Sequence, residues 1–254
     1  MKAFFCLLCV IPMLLLPLSG CGEKEQTPPA PSSSAQEPAA SSRPQTAEEI
    51  LENNQKIDPA QVDLIQFQSP GEDAVTVTIH TTLGEIRAVL YPSEAPKAVE
   101  NFLQLAEDGF YDGCVFYETT PGRRICSGSL DPAGKTGKSS LDGGAPFEDE
   151  YSLNLWHFNG ALAMDNSGVP GANDSRFYII QNDNISTELA TQMLEGGFPD
   201  KVVQKYLDEG GVPNYDFRDT VFGQVIEGMQ VVEQIAGQQK TGEDGASILL
   251  VQVE

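Results

Sequence analysis

The sequence predicts a mostly β domain, namely a closed barrel of short strands with two capping helices and an inserted helical segment. Three observations favour this fold class. Residues 74–90 alternate apolar and polar side chains, short apolar segments separated by glycine-rich loops follow them, and two amphipathic stretches frame those segments. A period of two is typical of strands with one buried face, and many short strands framed by helices favour a closed barrel.

The first predicted elements are a β-hairpin and a helix. Residues 75–79 place valine and isoleucine on one face of a strand, a turn follows at 82–85, and residues 86–90 resume the apolar face. A helix is predicted over 97–107 because its apolar residues recur at helical spacing. Pro96 suits the first turn of that helix, because its missing N–H would be unpaired there anyway.

The remaining elements are short strands, one insertion and a second helix. Residues 186–210 are typical of two helical pieces inserted between strands, and residues 228–235 predict the second capping helix. Glycine-rich loops separate the strands, as turn chemistry requires. The further strands are predicted at 114–117, 160–164, 177–181, 220–225 and 247–253.

The N-terminus predicts a targeting segment over residues 1–20. A basic second residue precedes an apolar run that is too short and too often broken by proline for a membrane span. The run ends in Leu-Ser-Gly before Cys21 and looks like a bacterial lipobox, whose cysteine is diacylated and becomes the new N-terminus. Two acyl chains would anchor the protein stably. The alternative is an ordinary secretory signal with an incidental cysteine.

The segment after this cysteine predicts a disordered linker over 21–47, since it is rich in Pro, Ser, Ala, Gln and Glu and shows no apolar periodicity. The folded domain is then predicted over 48–254, with its core at about 74–254. The chain has 15 basic and 37 acidic residues, a net charge of −22. Such a charge argues against nucleic acid and anionic lipid headgroups as partners.

Cysteine and histidine are too few to predict a metal site. The folded part contains Cys114, Cys126, His80 and His157, which do not form a zinc-like cluster. The two cysteines could form a disulfide in an oxidising compartment, which spacing alone does not establish. His80 falls on the polar face of the hairpin and is expected to be exposed. Trp156 and His157 lie in a loop and are expected to cover the barrel edge.

Several stretches together carry a family resemblance. They occur in order over most of the domain, and from about residue 75 to the end the chain resembles the cyclophilin family of peptidyl-prolyl isomerases. The resemblance implies an eight-stranded antiparallel barrel capped by two helices, with a proline-binding groove and no metal or cofactor. The stretches are YPSEAPKAVENFLQLAEDGFYDG, VFYETTPG, PFEDEY, NGALAMDNSG, SRFYII and TVFGQVIEGMQVVEQI.

The sequence departs from the family at its catalytic positions. Active members use an arginine two residues after the phenylalanine that is Phe116 here, and this chain has Glu118 there. An ionised carboxylate is only an acceptor, so it cannot donate to the prolyl nitrogen. The position of the family histidine is Asp219. The family resemblance further assigns the groove to Phe116, Arg124, Ile125, Ser127, Asp165, Asn166, Arg176, Phe177, Tyr178, Asn214 and Tyr215, with one inserted residue assumed after the Pro-Gly turn for Arg124, Ile125 and Ser127.

These replacements are mostly charged, and Arg123 also falls in this groove. We expect Glu118 to pair with Arg176 or Arg124 unless these side chains simply point to solvent, because guanidinium and carboxylate groups match in a bidentate geometry. A glutamate in place of a donating arginine predicts reduced catalysis.

Two functions therefore compete. The first is a monomeric isomerase, lipid-anchored outside the bacterial membrane through Cys21 and acting on proline-containing segments of exported client proteins. The second is a catalytically degenerate module that binds a peptide or protein. A surface protein without any ligand is a third, weaker alternative.

Overall fold

The computed structural model describes residues 47–238 and 244–254. The predicted signal segment, Cys21 and the predicted linker up to residue 46 lie outside these residues. The first described element is helix α1, Ala47–Asn54, which begins at the last residue of the predicted linker. No helix in the described ranges combines the length and the apolar character that crossing a membrane requires.

The main element is an eight-stranded antiparallel sheet. Its order is β3-β4-β6-β5-β7-β2-β1-β8, and every neighbouring pair is antiparallel. The strands are β1 Val75–Thr81, β2 Gly84–Leu90, β3 Glu118–Thr120, β4 Arg124–Ser127, β5 Ala161–Met164, β6 Phe177–Ile180, β7 Val221–Glu227 and β8 Ile248–Val253.

The eight antiparallel strands are confirmed, whereas continuous closure of the barrel is not observed in the described residues. No ladder joins β3 to β8, the two ends of the strand order. The curled sheet instead brings the segment before β3 to the start of β8. Val115 forms an isolated bridge with Ser247, and the Phe116 N–H donates to the Ala246 carbonyl at 2.9 Å.

Two helices pack against the sheet around one apolar core. Helix α2, Pro96–Glu107, begins at the predicted proline, and helix α5 spans Met229–Gly237. Phe102 of α2 is fully buried, with its ring centroid 5.4 Å from that of Phe222 on β7. The alternating apolar residues of the hairpin also face this core, so the period of two in the sequence correctly identified the buried face.

One predicted strand is displaced and another was missed. Residues 114–117 were expected to be a strand, but β3 begins only at Glu118, and β4 follows where no strand was predicted. The reason is that residues 113–116 hydrogen-bond singly to residues 246–248 instead of forming a ladder. The run Arg-Arg-Ile-Cys-Ser in β4 also lacks the alternation that makes a strand recognisable.

The predicted insertion is helical, with α3 at Thr187–Glu195 and α4 at Asp200–Glu209. It covers a separate apolar cluster that contains Trp156, Phe158 and residues of the segment 57–67. Trp156 and His157, which were expected to cover the barrel edge, are 0% and 1% exposed, and Trp156 packs in the same cluster as residues of the insertion.

The N-terminal segment is tied into the same cluster by polar contacts. The Asn54 side-chain amide donates to the Gly196 carbonyl at 2.8 Å, at the turn between α3 and α4. The buried Gln66 amide donates to the Trp156 carbonyl at 3.0 Å and to the Gln224 side chain at 2.8 Å. Residues 47–67 are therefore an integral part of the domain.

The cysteines and His80 have structural environments. Cys114 and Cys126 are free and buried, in two different apolar clusters, so the disulfide left open by the sequence is absent. Burial and the nearby Asp112 raise the pKa of Cys114 to about 11, which keeps this thiol protonated. His80 is partly exposed, and its Nδ1 lies 3.2 Å from Glu85.

Candidate functional site

The register of three paired strands decides which side chains face the cleft. Glu118 on β3 pairs with Cys126 on β4, which pairs with Tyr178 on β6. Directly paired residues share one face of a sheet, so these three side chains point to the same side. Ile125 pairs with Thr119 and Ile179 and points to the other side, into the main core.

This register corrects the inserted residue assumed in the sequence. Ile125 and Ser127 were assigned to the groove, but both are 0% exposed, and the Ser127 hydroxyl donates to the Val115 carbonyl at 3.0 Å. Phe116 and Phe177 belong to the main core as well. A one-residue shift in alignment moves every side chain of a strand to the opposite face, which is why the assignments of Ile125 and Ser127 to the groove were wrong.

Most of the other predicted residues surround a cleft of about 580 Å³, but Arg176 and Tyr178 are buried behind it. Asn214 does not line it and is exposed on a short 3-10 helix. The sequence missed Tyr117, Ser167 and Arg218, whose only signal is adjacency to predicted positions. The predicted residues that do line the cleft are Glu118, Arg123, Arg124, Asp165, Asn166, Tyr215 and Asp219.

The centre of the cleft is an ion pair between neighbouring strands. Nε and Nη2 of Arg124 donate to the two carboxylate oxygens of Glu118, each at 3.1 Å. The Arg124 guanidinium lies 5.0 Å from the Tyr178 ring centroid and 5.5 Å from that of Tyr215. The expected pairing with Arg124 is confirmed, and this guanidinium covers the aromatic floor of the cleft.

The alternative pairing of Glu118 with Arg176 is wrong. Arg176 is 8% exposed and pairs with Asp174, with Nη2 and Oδ2 2.6 Å apart. Its Nη1 also donates to the Ser167 hydroxyl at 2.6 Å and to the Gly134 carbonyl. Because Ser167 and Gly134 line the cleft, Arg176 supports one wall from behind.

Two tyrosine–aspartate hydrogen bonds complete the walls. The Tyr117 hydroxyl donates to Asp165 at 2.8 Å, and the Tyr178 hydroxyl donates to Asp219 at 2.7 Å. Burial, reinforced by these carboxylates, raises the pKa of both tyrosines, so each hydroxyl remains a donor. Burial also raises the pKa of Asp219, against the hydrogen bond from Tyr178, which acts in the opposite direction.

Asn166 is held by the scaffold. Its side-chain amide donates to the Asp149 carboxylate and to the Arg218 carbonyl, both at 3.2 Å. Its side-chain oxygen accepts from the Gly168 N–H at 2.9 Å. These bonds fix the end of β5 where it meets the cleft.

The arrangement can hold a peptide but presents no donor at position 118. The walls offer guanidinium groups, carboxylates and tyrosine rings. Among the described residues, no group of three His, Cys, Asp or Glu side chains is placed to hold a metal ion. The site is thus a polar cleft with an aromatic floor, suited to recognising an extended chain by hydrogen bonds and ring contacts.

Comparison with known proteins agrees with this fold. Residues 76–253 match the model of the family described as cyclophilin type peptidyl-prolyl cis-trans isomerase/CLD. A Staphylococcus aureus (strain USA300) protein named "Putative peptidyl-prolyl cis-trans isomerase" is 41% identical over 162 residues, covering 64% of this chain and 81% of its own length. A Staphylococcus haemolyticus protein of the same name is 37% identical over 173 residues, 68% and 86% of the two chains.

Solved structures show the same fold. A Cryptosporidium parvum cyclophilin type peptidyl-prolyl cis-trans isomerase superposes with a TM-score of 0.54 at 24% identity, over 71% of this chain and 98% of that one. Its structure in the presence of the dipeptide Ala-Pro gives 0.53 at 25% identity, over 70% and 98%. The class defined by the sheet and cleft is therefore that of a cyclophilin fold. The chain belongs to the cyclophilin family of peptidyl-prolyl cis-trans isomerases.

Proposed function

We propose that this chain is an exported peptidyl-prolyl isomerase with reduced activity, which acts on proline-containing segments of client proteins. Membership in the family and the Ala-Pro dipeptide with the similar structure support the substrate class. The reaction is rotation about the X–Pro bond, whose barrier is about 18–20 kcal/mol because of amide resonance. A donor aimed at the prolyl nitrogen would lower that barrier by weakening the resonance.

The observation that carries the reduced activity is the Glu118–Arg124 pair. The carboxylate is an acceptor, and it occupies two of the Arg124 donors. The loss of one preorganised donor typically lowers a rate by about 10²–10³-fold. Tyr117 and Tyr215 still line the cleft, so desolvation of the X–Pro bond against these rings would supply the residual catalysis.

A prolyl isomerisation assay tests this proposal. We compare the wild-type chain with Glu118→Arg combined with Arg124→Met, which restores a donor at position 118 without setting two guanidinium groups side by side. The double variant is expected to be about tenfold faster or more, since a donor is regained. Arg87→Met is the control, because it breaks an ion pair outside the cleft. A wild-type rate equal to that of an ordinary cyclophilin would contradict the proposal.

A second function, a peptide-binding module without catalysis, is favoured by the charged groups that line the cleft. Three arginines and three carboxylates meet there, and such groups suit recognition of polar segments better than of a bare proline ring. The two functions separate in one experiment. Binding of a proline peptide without any acceleration of its isomerisation, in wild type and double variant alike, would favour the module.

The location and the oligomeric state are further parts of the proposal. The lipobox-like sequence before Cys21 supports export and lipid anchoring at the outer face of the bacterial membrane. Cys21→Ala is expected to move the protein from the membrane fraction to the soluble fraction, and retention in the membrane would exclude a lipid at this cysteine. We propose a monomer, which light scattering of the purified protein would check.

A further inference from the structure

The arginines of this chain are distributed unevenly. Five of the six lie in the described residues, and four of these five lie in or directly behind the cleft. Three of the five bind carboxylates, since Arg87 pairs with Glu254, Arg124 with Glu118 and Arg176 with Asp174. Within residues 47–238 and 244–254, the two that make no ion pair are Arg123 and Arg218, and both line the cleft.

These two arginines flank the same tyrosine. Nε of Arg123 donates to the Tyr215 hydroxyl, and its guanidinium lies 5.2 Å from the ring centroid. The Arg218 N–H donates to the Tyr215 carbonyl at 3.1 Å. Both arginines are exposed and line the cleft, so the terminal donors of both guanidinium groups are accessible to a ligand there.

Two arginines without a carboxylate partner among the described residues are unexpected in a chain with such an excess of acidic residues. The chain has 37 acidic and 15 basic residues, so a carboxylate is far more common than a cation, yet neither Arg123 nor Arg218 forms an ion pair with a carboxylate of the described residues. The cleft, in contrast, is lined by equal numbers of arginines and carboxylates. The cleft thus presents an acidic ligand with two arginines that form no ion pair with the described residues.

We propose that Arg123 and Arg218 form a subsite for the carboxylate of an aspartate or glutamate next to the proline of a bound peptide. This inference rests on the proposed function, in which the cleft takes proline-containing segments, and it adds the class of segment preferred. A guanidinium group matches a carboxylate with two parallel hydrogen bonds. The long-range field of the chain repels an acidic peptide, so the preference must come from these short-range contacts.

The test uses three blocked peptides that differ only in the residue before proline, which is Glu, Gln or Lys. Binding is measured by anisotropy with a neutral fluorophore, and isomerisation of the same peptides by exchange NMR, which requires no protease. An exposed charge pair is worth about threefold in affinity, so the Glu peptide should bind about tenfold more tightly than the Gln peptide. That ratio should fall in high salt, because screening weakens exposed pairs.

Arginine variants assign the preference to the two side chains. Arg123→Gln and Arg218→Gln should each lower the Glu-to-Gln affinity ratio by about threefold, and the double variant should bring it close to one. Arg87→Gln removes the same charge outside the cleft and should leave the ratio unchanged. A ratio of one in wild type, no binding of the Glu peptide, or a ratio that survives in the double variant would overturn the subsite.

Failure of the subsite and failure of the isomerase are distinguishable. If the Glu peptide binds more tightly through the two arginines but no peptide is isomerised faster, the subsite stands and the proposed activity is wrong. If all three peptides are isomerised faster but bind equally, the activity stands and the subsite is wrong.

Discussion

Replacing Tyr206 by phenylalanine is expected to lower the free energy of unfolding by about 2 kcal/mol. Tyr206 on α4 is fully buried, and its hydroxyl donates to both Asp216 carboxylate oxygens at 2.8 and 2.9 Å. The same carboxylate accepts from the His157 N–H at 2.9 Å, and the His157 Nδ1 lies at the same distance. A hydrogen bond to a charged group contributes about 1.5–3 kcal/mol, and this carboxylate would keep its other partner.

The variant isolates the hydroxyl, because phenylalanine keeps the ring that packs 4.4 Å from Phe158. Urea unfolding can be followed by the fluorescence of Trp156, the single tryptophan, which lies in the same apolar cluster. Tyr151→Phe is the matched control. Tyr151 is 49% exposed, and its hydroxyl donates to the Arg218 carbonyl at 3.3 Å, so its removal should cost less than about 0.5 kcal/mol.

The result that would refute this reasoning is a Tyr206→Phe variant within about 0.5 kcal/mol of wild type at an unchanged denaturant slope. Apolar contacts alone would then stabilise the packing of the insertion, residues 186–210, against the rest of the domain. A loss of about 2 kcal/mol in Tyr206→Phe but not in Tyr151→Phe would show that the buried carboxylate joins the insertion to the loop before Asp219.

Three further predictions concern the strand register, the acid–base behaviour of the cleft and a close backbone contact. Ile125→Ala should lower the free energy of unfolding by about 2–5 kcal/mol, because the side chain is in the core; a loss below about 1 kcal/mol in urea unfolding would place it in the cleft. Burial raises the pKa of Asp219 above 3.8, so the folded state takes up this proton before the unfolded state as pH falls. Wild type should therefore gain stability relative to Asp219→Asn between pH 7 and about pH 4, and a difference independent of pH in the same assay would contradict the shift. Gly128→Ala should cost at least about 2 kcal/mol, because Gly128 has φ +89° and a Cβ there would lie 2.2 Å from the Ser175 carbonyl oxygen; thermal unfolding equal to wild type would exclude that contact.

Local patterns predicted the elements that depend on local physics. The helix α2 begins and ends where its proline and its apolar spacing indicated, and the two helical pieces of the insertion lie within residues 186–210. The edge of the sheet was less predictable, since residues 113–116 are fixed by single hydrogen bonds to residues 246–248. Because these hydrogen-bond partners lie about 130 residues apart in the sequence, no periodic pattern of apolar residues within either segment could predict their contact.

The sequence predicted which kinds of residue form the candidate site, but it predicted their spatial arrangement only in part. Opposite charges predicted that Glu118 would form an ion pair with an arginine. The choice between Arg124 and Arg176 required the structure, because Arg176 pairs with Asp174 instead. The faces of Ile125 and Ser127 depended on one assumed insertion. Since side chains alternate along a strand, that single residue decided which of them reach the cleft.

The contacts of Gln66 have a consequence for the order in which the chain folds. Its amide group bonds to residues 90 and 158 positions further along the sequence, and Asn54 bonds to a residue 142 positions away. Such nonlocal contacts form slowly, because a long loop must close before any of them is gained. The N-terminal segment of the domain can therefore complete its contacts only after Gln224 has been made. In hydrogen exchange, residues 47–67 should accordingly open before the sheet does.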